Sequence, residues 1–212
     1  GAAGFIGYHL SKELIKNNNE VVGIDNLNNY YDKKHKIKRL QNLKSDNFFF
    51  IEDDINKIKS QNLQGIDLII NLAAQPGVRL PPQKYSEYYL NNINGFNEVL
   101  LYALNNNVKN VIYASSSSVY SDLNKMPFSE KDKIYSQQST YGFSKYVNEL
   151  QAEFYFKKFG INSIGLRFFT VYGEFGRPDM AYYNFAKNIL LGKEIILHND
   201  GLMTRDMTYI ED

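Results

Sequence analysis

Tyr141 and Lys145 stand at either end of Tyr141-Gly-Phe-Ser-Lys145, and a run of serines, Ser115 to Ser118, precedes them by about 25 residues. A free phenol titrates near ~10, so using it as a base around neutral pH needs a shift of about 3 units, or ~4 kcal/mol. An ammonium beside the phenol favours the phenolate and supplies much of that shift. On a helix, positions i and i+4 share a face, which puts this phenol and this ammonium together. Tyr-x-x-x-Lys arises by chance in many chains; the serine run ahead of it makes it a candidate site. Ser116 can hydrogen-bond a reacting hydroxyl and orient it. The chemistry implied is proton transfer at an alcohol.

Oxidising that alcohol as well would need a hydride acceptor, and the first residues suggest one. Gly1, Gly4 and Gly7 recur at every third position in Gly1-Ala-Ala-Gly4-Phe5-Ile6-Gly7. Gly1 and Gly4 permit a tight turn and close approach of a pyrophosphate to the backbone, while Gly7 permits tight packing of a helix on a strand. Asp25 ends an apolar run at a distance where, ~20 residues past such a turn, an acid bonds the adenosine ribose hydroxyls. A carboxylate there repels a 2′-phosphate, so NAD is expected rather than NADP. Asp54, after Phe48-Phe-Phe-Ile51, is a candidate for the adenine edge. With Asp53 beside it a metal pair is conceivable, but His9, His35 and His198 show no ligand spacing, and no metal is expected.

These residues need a scaffold that gathers them. Apolar runs alternate with amphipathic stretches, which predicts a doubly wound α/β fold with a parallel sheet. Helices are expected over 8–18, 33–44, 84–105, 140–158 and 179–191. Strands are expected over 20–25, 48–51, 66–72, 110–114, 162–167 and 195–198, that at 66–72 being the most clearly buried. The glycine turn, Asp25, Asp54, Ala73-Ala74, the serine run and Arg167 to Thr170 then fall at carboxyl ends of strands, where ligands of such sheets collect. The Asn clusters at 17–19 and 105–107 sit where helices should stop. Residues 1–173 are expected to form an NAD-binding domain, and 174–212 the start of a smaller substrate lobe.

The bulk composition closes off several classes. A net charge of +1 gives no electrostatic reason to expect nucleic acid or an anionic membrane. The lysines read as solvated surface charge. Cysteine is absent, which removes disulfide and thiol chemistry and fits a reducing cytoplasm. No apolar run approaches the ~20 residues that span a bilayer. The chain opens on the first motif glycine without an initiator Met or a strand before it, and breaks off at Asp212. The expectation is a fragment of a longer enzyme, and a truncated inactive product is one reading of it.

Taken with their order, the motifs resemble the extended short-chain dehydrogenase/reductase family, and within it the nucleotide-sugar 4-epimerases that act on UDP-glucuronate. The segments that carry the resemblance run nearly end to end. They are Gly1 to Gly7, Gly23-Ile-Asp25-Asn26, Asn71-Leu72-Ala73-Ala74-Gln-Pro-Gly-Val-Arg79 and Ala114 to Tyr120. Further on come Tyr141 to Lys145, Arg167 to Gly173, Gly176-Arg177-Pro-Asp-Met-Ala181 and Arg205 to Ile210. The resemblance implies Ser116, Tyr141 and Lys145 as catalytic, with Lys145 also on the cofactor ribose. It implies Gly1, Gly4, Phe5, Ile6, Gly7, Asp25, Asn26, Asp54, Ile55, Leu72, Ala73 and Ala74 around NAD. Arg79, Ser117, Ser118, Thr170, Arg177 and Arg205 would face the UDP-sugar, and a homodimer would form through helices 84–105 and 140–158.

Departures from the family pattern are Ser121, Glu174 and Asp53, which touch loop shape rather than reacting atoms. A 4,6-dehydratase would need an acid and a base before Val119-Tyr120, where Ser117 and Ser118 stand. A decarboxylase would have Glu in place of Ser118. UDP-glucose or UDP-N-acetylglucosamine as substrate, and a non-catalytic NAD-binding protein of the same fold, stay open.

Overall fold

The computed structural model describes residues 1–120, 126–134 and 136–212; Ser121 and the side chain of His198 lie outside what is described. Helix α1 (Phe5–Lys16) leaves the glycine turn and is followed by β1 (Val21–Asp25), α2 (Lys34–Asn42) and β2 (Phe48–Glu52). A 3-10 helix (Ile55–Ser60) leads to β3 (Leu68–Asn71). Helix α3 (Ser86–Tyr88), a π-helical segment (Tyr89–Asn94) and α4 (Gly95–Asn105) follow in one run, and then β4 (Asn110–Ala114). The remainder is α5 (Thr140–Phe159), β5 (Asn162–Leu166), β6 (Thr170–Tyr172), α6 (Ala181–Leu190) and β7 (Met207–Tyr209).

Strands β3, β4 and β5 form a parallel sheet in that order, with Ile70 opposite Ile112 and Ile112 opposite Ile164. Strands β1 and β2 pair with each other, and β6 pairs parallel with β7. Helical crossovers between parallel strands are the doubly wound pattern that the alternating sequence predicts. The helix ends are chemically specified. Ser139 caps α5 by accepting from the Gly142 N–H at 3.0 Å, and Gly160 closes it in the left-handed region at φ 70°. Asn18 and Asn107 take positive φ just past α1 and α4, as the asparagine clusters suggested.

Contacts divide the chain into two compact units. The first comprises 1–2, 24–26 and 51–168; its core joins Phe96, Val99, Leu100 and Ala103 of α4 to Val111 and Tyr113 of β4 and Ala152 and Tyr155 of α5. The second comprises 3–23, 27–50 and 169–212 and contains α1, α2, α6 and the β6–β7 pair.

Several sequence expectations need correction. The stretch 84–105 is not one α-helix, because a π-helical segment interrupts it at Tyr89–Asn94. Asn92, within that segment, is buried. No strand forms over 195–198: Ile196 and Leu197 are exposed without a strand to pair with, and a 3-10 turn covers His198–Gly201. β3 is shorter than expected and half-buried, with Leu68 41 % exposed at an edge of its sheet. Lys36 and Arg39 of the lysine-rich second helix are buried rather than solvated. Thr170 does not trail β5 in a loop but opens β6.

Candidate active site

The first unit carries the residues expected to do the chemistry. β4 ends at Ala114 and delivers Ser115 and Ser116, both buried, into a 3-10 turn over Ser117–Tyr120. The turn is self-supporting: Ser116 Oγ accepts from the Ser118 N–H at 3.1 Å, and the Ser117 N–H donates to the Phe168 carbonyl at 2.9 Å. Helix α5 packs on this turn through its first residues. A Cβ on Gly142 would meet the Ser118 carbonyl at 2.8 Å and Gln137 Oε1 at 2.9 Å, so the Gly after Tyr141 is there for close approach. The sequence reading assigned no role to Gly142.

Lys145 is 3 % exposed, and its Nζ donates to the Ala114 carbonyl at 2.9 Å. Burial alone lowers its pKa from the usual lysine value to about 8. The same Nζ lies 6.0 Å from the centre of the Tyr141 ring, the geometry that i, i+4 spacing predicts. The Tyr141 ring in turn lies 6.0 Å from that of Tyr88, which is buried and whose hydroxyl donates to the Gly77 carbonyl.

Beneath the phenol runs a polar network that the sequence reading missed. Asn92 donates to Ser144 Oγ at 2.9 Å and to the Gln75 carbonyl at 3.2 Å, and accepts from the Gln75 N–H at 2.7 Å. Its own carbonyl accepts from Asn148 Nδ2 at 2.8 Å, while Ser144 Oγ donates to the Tyr141 carbonyl at 2.7 Å. One buried amide therefore links the loop after β3 to the base of the Tyr/Lys helix. The π-helical stretch around Asn92 is the kind of irregularity that gathers at functional sites. On the other side of α5, Ser115 Oγ donates to Glu149 at 2.6 Å, and Arg167 grips the same carboxylate with two bonds of 2.9 and 2.7 Å. The hydrogen bond to Glu149 raises the Arg167 pKa further.

The residues of this unit expected at a cofactor also lie together. The main-chain nitrogens of Gly1 and Ala2 donate to the Ile24 carbonyl at 2.5 and 3.2 Å, placing them beside buried Asp25 at the end of β1. A Cβ on Gly1 would sit 2.5–2.7 Å from main-chain atoms of Leu72 and Ala73, so only glycine lets this turn lie against the end of β3. Asp54 accepts from Asn26 Nδ2 at 2.9 Å and from the N–H and side-chain amide of Asn56 at 2.9 and 2.8 Å. Burial opposes its charge, but these donors outweigh it and hold the carboxyl below its ordinary pKa. Asp54 thus ties the turn after β1 to the 3-10 helix that begins at Ile55. Asp53 accepts from Gln61 at 2.6 Å. Arg79 is exposed.

The second unit carries the rest. Gly4 occupies the N-cap position of α1 with no side-chain cap, so the first N–H groups of the helix, at Phe5, Ile6 and Gly7, are left for a ligand. Uncapped helix N–H groups of this kind fit an anionic ligand. Arg177 forms a two-bond pair with Asp179 at 3.1 and 2.6 Å, and Tyr30 donates to Asp179 at 3.3 Å. Arg205 is exposed in an irregular stretch, donating to the Thr204 carbonyl at 2.7 Å. An open cleft of about 300 Å³ is lined by Tyr31, His35, Asp179 and Tyr183.

Comparison with known proteins shows the family. The NAD dependent epimerase/dehydratase family matches residues 1–212. An uncharacterized protein of Methanocaldococcus jannaschii is 50 % identical over 219 residues, covering 100 % of this chain and 67 % of its own length. UDP-glucuronate 4-epimerase 4 of Arabidopsis thaliana is 43 % identical over 220 residues, covering 100 % of this chain and 50 % of its own. The crystal structure of UDP-glucuronic acid 4-epimerase from Bacillus cereus in complex with NAD superposes with a TM-score of 0.92 at 38 % identity, covering 100 % of this chain and 68 % of that one. The chain spans between half and about two thirds of the length of these proteins. It belongs to the NAD dependent epimerase/dehydratase family, the extended short-chain dehydrogenases/reductases.

Proposed function

We propose that this chain supplies the NAD-binding and catalytic portion of a nucleotide-sugar 4-epimerase, interconverting UDP-glucuronate and UDP-galacturonate. The observation that carries the reading is the buried Lys145, anchored on the carbonyl just before the serine turn and one helical turn from Tyr141. The B. cereus enzyme, similar over the whole of this chain, is known in complex with UDP-glucuronic acid and NAD.

In this reading residues 1–173 hold the dinucleotide and 174–212 begin the substrate lobe. Gly1, Gly4 and the first N–H groups of α1 receive the pyrophosphate, and Asp25 accepts from the adenosine ribose. NAD held there would supply a reversible hydride acceptor, so the reaction would show no net redox change. Tyr141 accepts the proton of the sugar 4-hydroxyl, and the positive charge of Lys145 favours its phenolate. Ser116 hydrogen-bonds the same hydroxyl and holds it in line. Ser117 and Ser118 donate to the uronic carboxylate and keep it from the orientation in which a 4-keto sugar loses CO2. Arg177 and Arg205 provide charge for the diphosphate or carboxylate.

The same reading includes a homodimer. Phe143, Leu150 and Phe154 are exposed on α5, at spacings that share one helix face, and Tyr89 and Leu90 are exposed on the 84–105 stretch. Light scattering of the intact protein tests this: a monomer at micromolar concentration removes it. No helix among the described residues is long and apolar enough to cross a membrane, and we place the enzyme in the cytoplasm.

The deciding experiment gives the intact protein UDP-glucuronate with no added reductant and follows the products by NMR. UDP-galacturonate supports the proposal. A UDP-pentose would make it a decarboxylase, a 4-keto-6-deoxy sugar a dehydratase, and turnover of UDP-glucose or UDP-N-acetylglucosamine alone would reassign the substrate.

A further inference from the structure

Arg39 is 0 % exposed, and its partners are oxygens rather than a partner acid: Nη1 donates to the Ala3 carbonyl at 3.1 Å and to the Tyr31 hydroxyl at 2.7 Å. Its Nε and Nη2 both donate to the Phe175 carbonyl, at 3.1 and 2.6 Å, and Nη2 also reaches the Gly176 carbonyl at 3.3 Å. A single guanidinium therefore holds the residue before Gly4, the N-cap of α1, and the two residues before Arg177.

The backbone it holds is strained. Phe175 has φ 55°, a region that L side chains rarely adopt and that costs ~1–3 kcal/mol unless the surroundings enforce it. The surroundings do so. The Phe175 ring meets Tyr8 edge-on at 5.0 Å, and His9 Nε2 pairs with the Glu174 carbonyl at 2.9 Å. Lys38 lies over the Phe175 ring at 5.9 Å. Only arginine answers the geometry, because its planar fork stays charged when buried and offers donors in several directions at once, whereas a lysine offers a point charge.

We propose that Arg39 is a positioning residue that couples the glycine turn to the Arg177 segment, so that dinucleotide and nucleotide-sugar each bind better when the other is present. The proposal rests on the functional reading above. A shift of the Ala3 carbonyl moves the N-cap of α1, and a shift of the Phe175 carbonyl moves the backbone from which Arg177 projects. Neither can move without the shared guanidinium.

The test uses the intact protein and its Arg39→Met and Arg39→Lys variants, with circular dichroism as the check of folding. Titration calorimetry measures NAD affinity with and without saturating UDP, and steady-state assays with UDP-glucuronate give kcat and KM. Wild type is expected to bind NAD about tenfold more tightly with UDP present. Arg39→Met should bring that factor to near one and raise KM about tenfold, with kcat within about threefold. Arg39→Lys should fold like wild type yet leave the factor below one third of the wild-type value, since charge without the fork does not bridge; if Arg39→Met fails to fold, this variant decides. Unchanged coupling and KM in a folded variant, equal loss in kcat and KM, or absence of coupling in wild type overturns the proposal. Coupling without epimerisation of UDP-glucuronate would leave the proposal standing and sink the functional reading alone; absence of NAD binding sinks both.

Discussion

The Lys145 ammonium donates to the Ala114 carbonyl at 2.9 Å from a site with almost no access to water. That contact sets a pH signature. Burial lowers the Lys145 pKa to about 8, so the folded state favours the neutral amine more than the unfolded chain does. The penalty for burying the charge is full below about pH 8 and is relieved as pH rises toward the unfolded value of ~10.4. Denaturant unfolding of the intact, cofactor-free protein should therefore show wild type gaining up to ~3 kcal/mol on Lys145→Met between pH 7 and pH 10.5. A constant difference across that range would mean that the ammonium is solvated.

In the proposed reaction Tyr141 is the proton acceptor, and replacing it by Phe removes that oxygen and little else. We expect kcat to fall by ~10²–10⁴ while NAD affinity stays within about threefold of wild type. Product NMR and a fluorescence titration of NAD measure the two. Loss of NAD binding in parallel with turnover would reassign Tyr141 to the fold.

Asn92 joins Gln75, Ser144 and Asn148 in a site closed to water. Asn92→Leu strands the donors and acceptors left behind and should cost ~2–4 kcal/mol in urea unfolding. Asn92→Ala should be comparably costly. A loss under ~0.5 kcal/mol would mean that the network is wet.

Gly142→Ala places a methyl group 2.8 Å from the Ser118 carbonyl, and the serine turn must give way by several tenths of an ångström. Reaction rates respond steeply to such displacement, ~10²-fold for about 1 Å, so kcat should drop about tenfold with KM little changed. An unaltered kcat would show that the turn and α5 tolerate independent movement.

Legibility in the sequence followed the range of the physics. Strands β4 and β5, helix α5 and the asparagine-terminated helices were readable because period, capping and turn chemistry act within a few residues. Tyr141 and Lys145 were readable as a pair because i, i+4 spacing is local geometry. The expected strand over 195–198 failed for a complementary reason: an apolar run becomes a strand only where a neighbour offers main-chain partners, and none is paired there.

The sequence alone determined the chemistry on offer: a phenol with an ammonium one turn away, hydroxyls at the end of a strand, and glycines with an acid spaced for a dinucleotide. Tertiary structure decided what those groups are worth. Only packing could bury Lys145 and lower its pKa, make Asn92 a buried hub, and place Arg39 under Ala3 and Phe175, residues 36 and 136 positions away in the chain. Desolvation and long-range hydrogen bonding depend on what the rest of the chain brings near, and no local pattern records that.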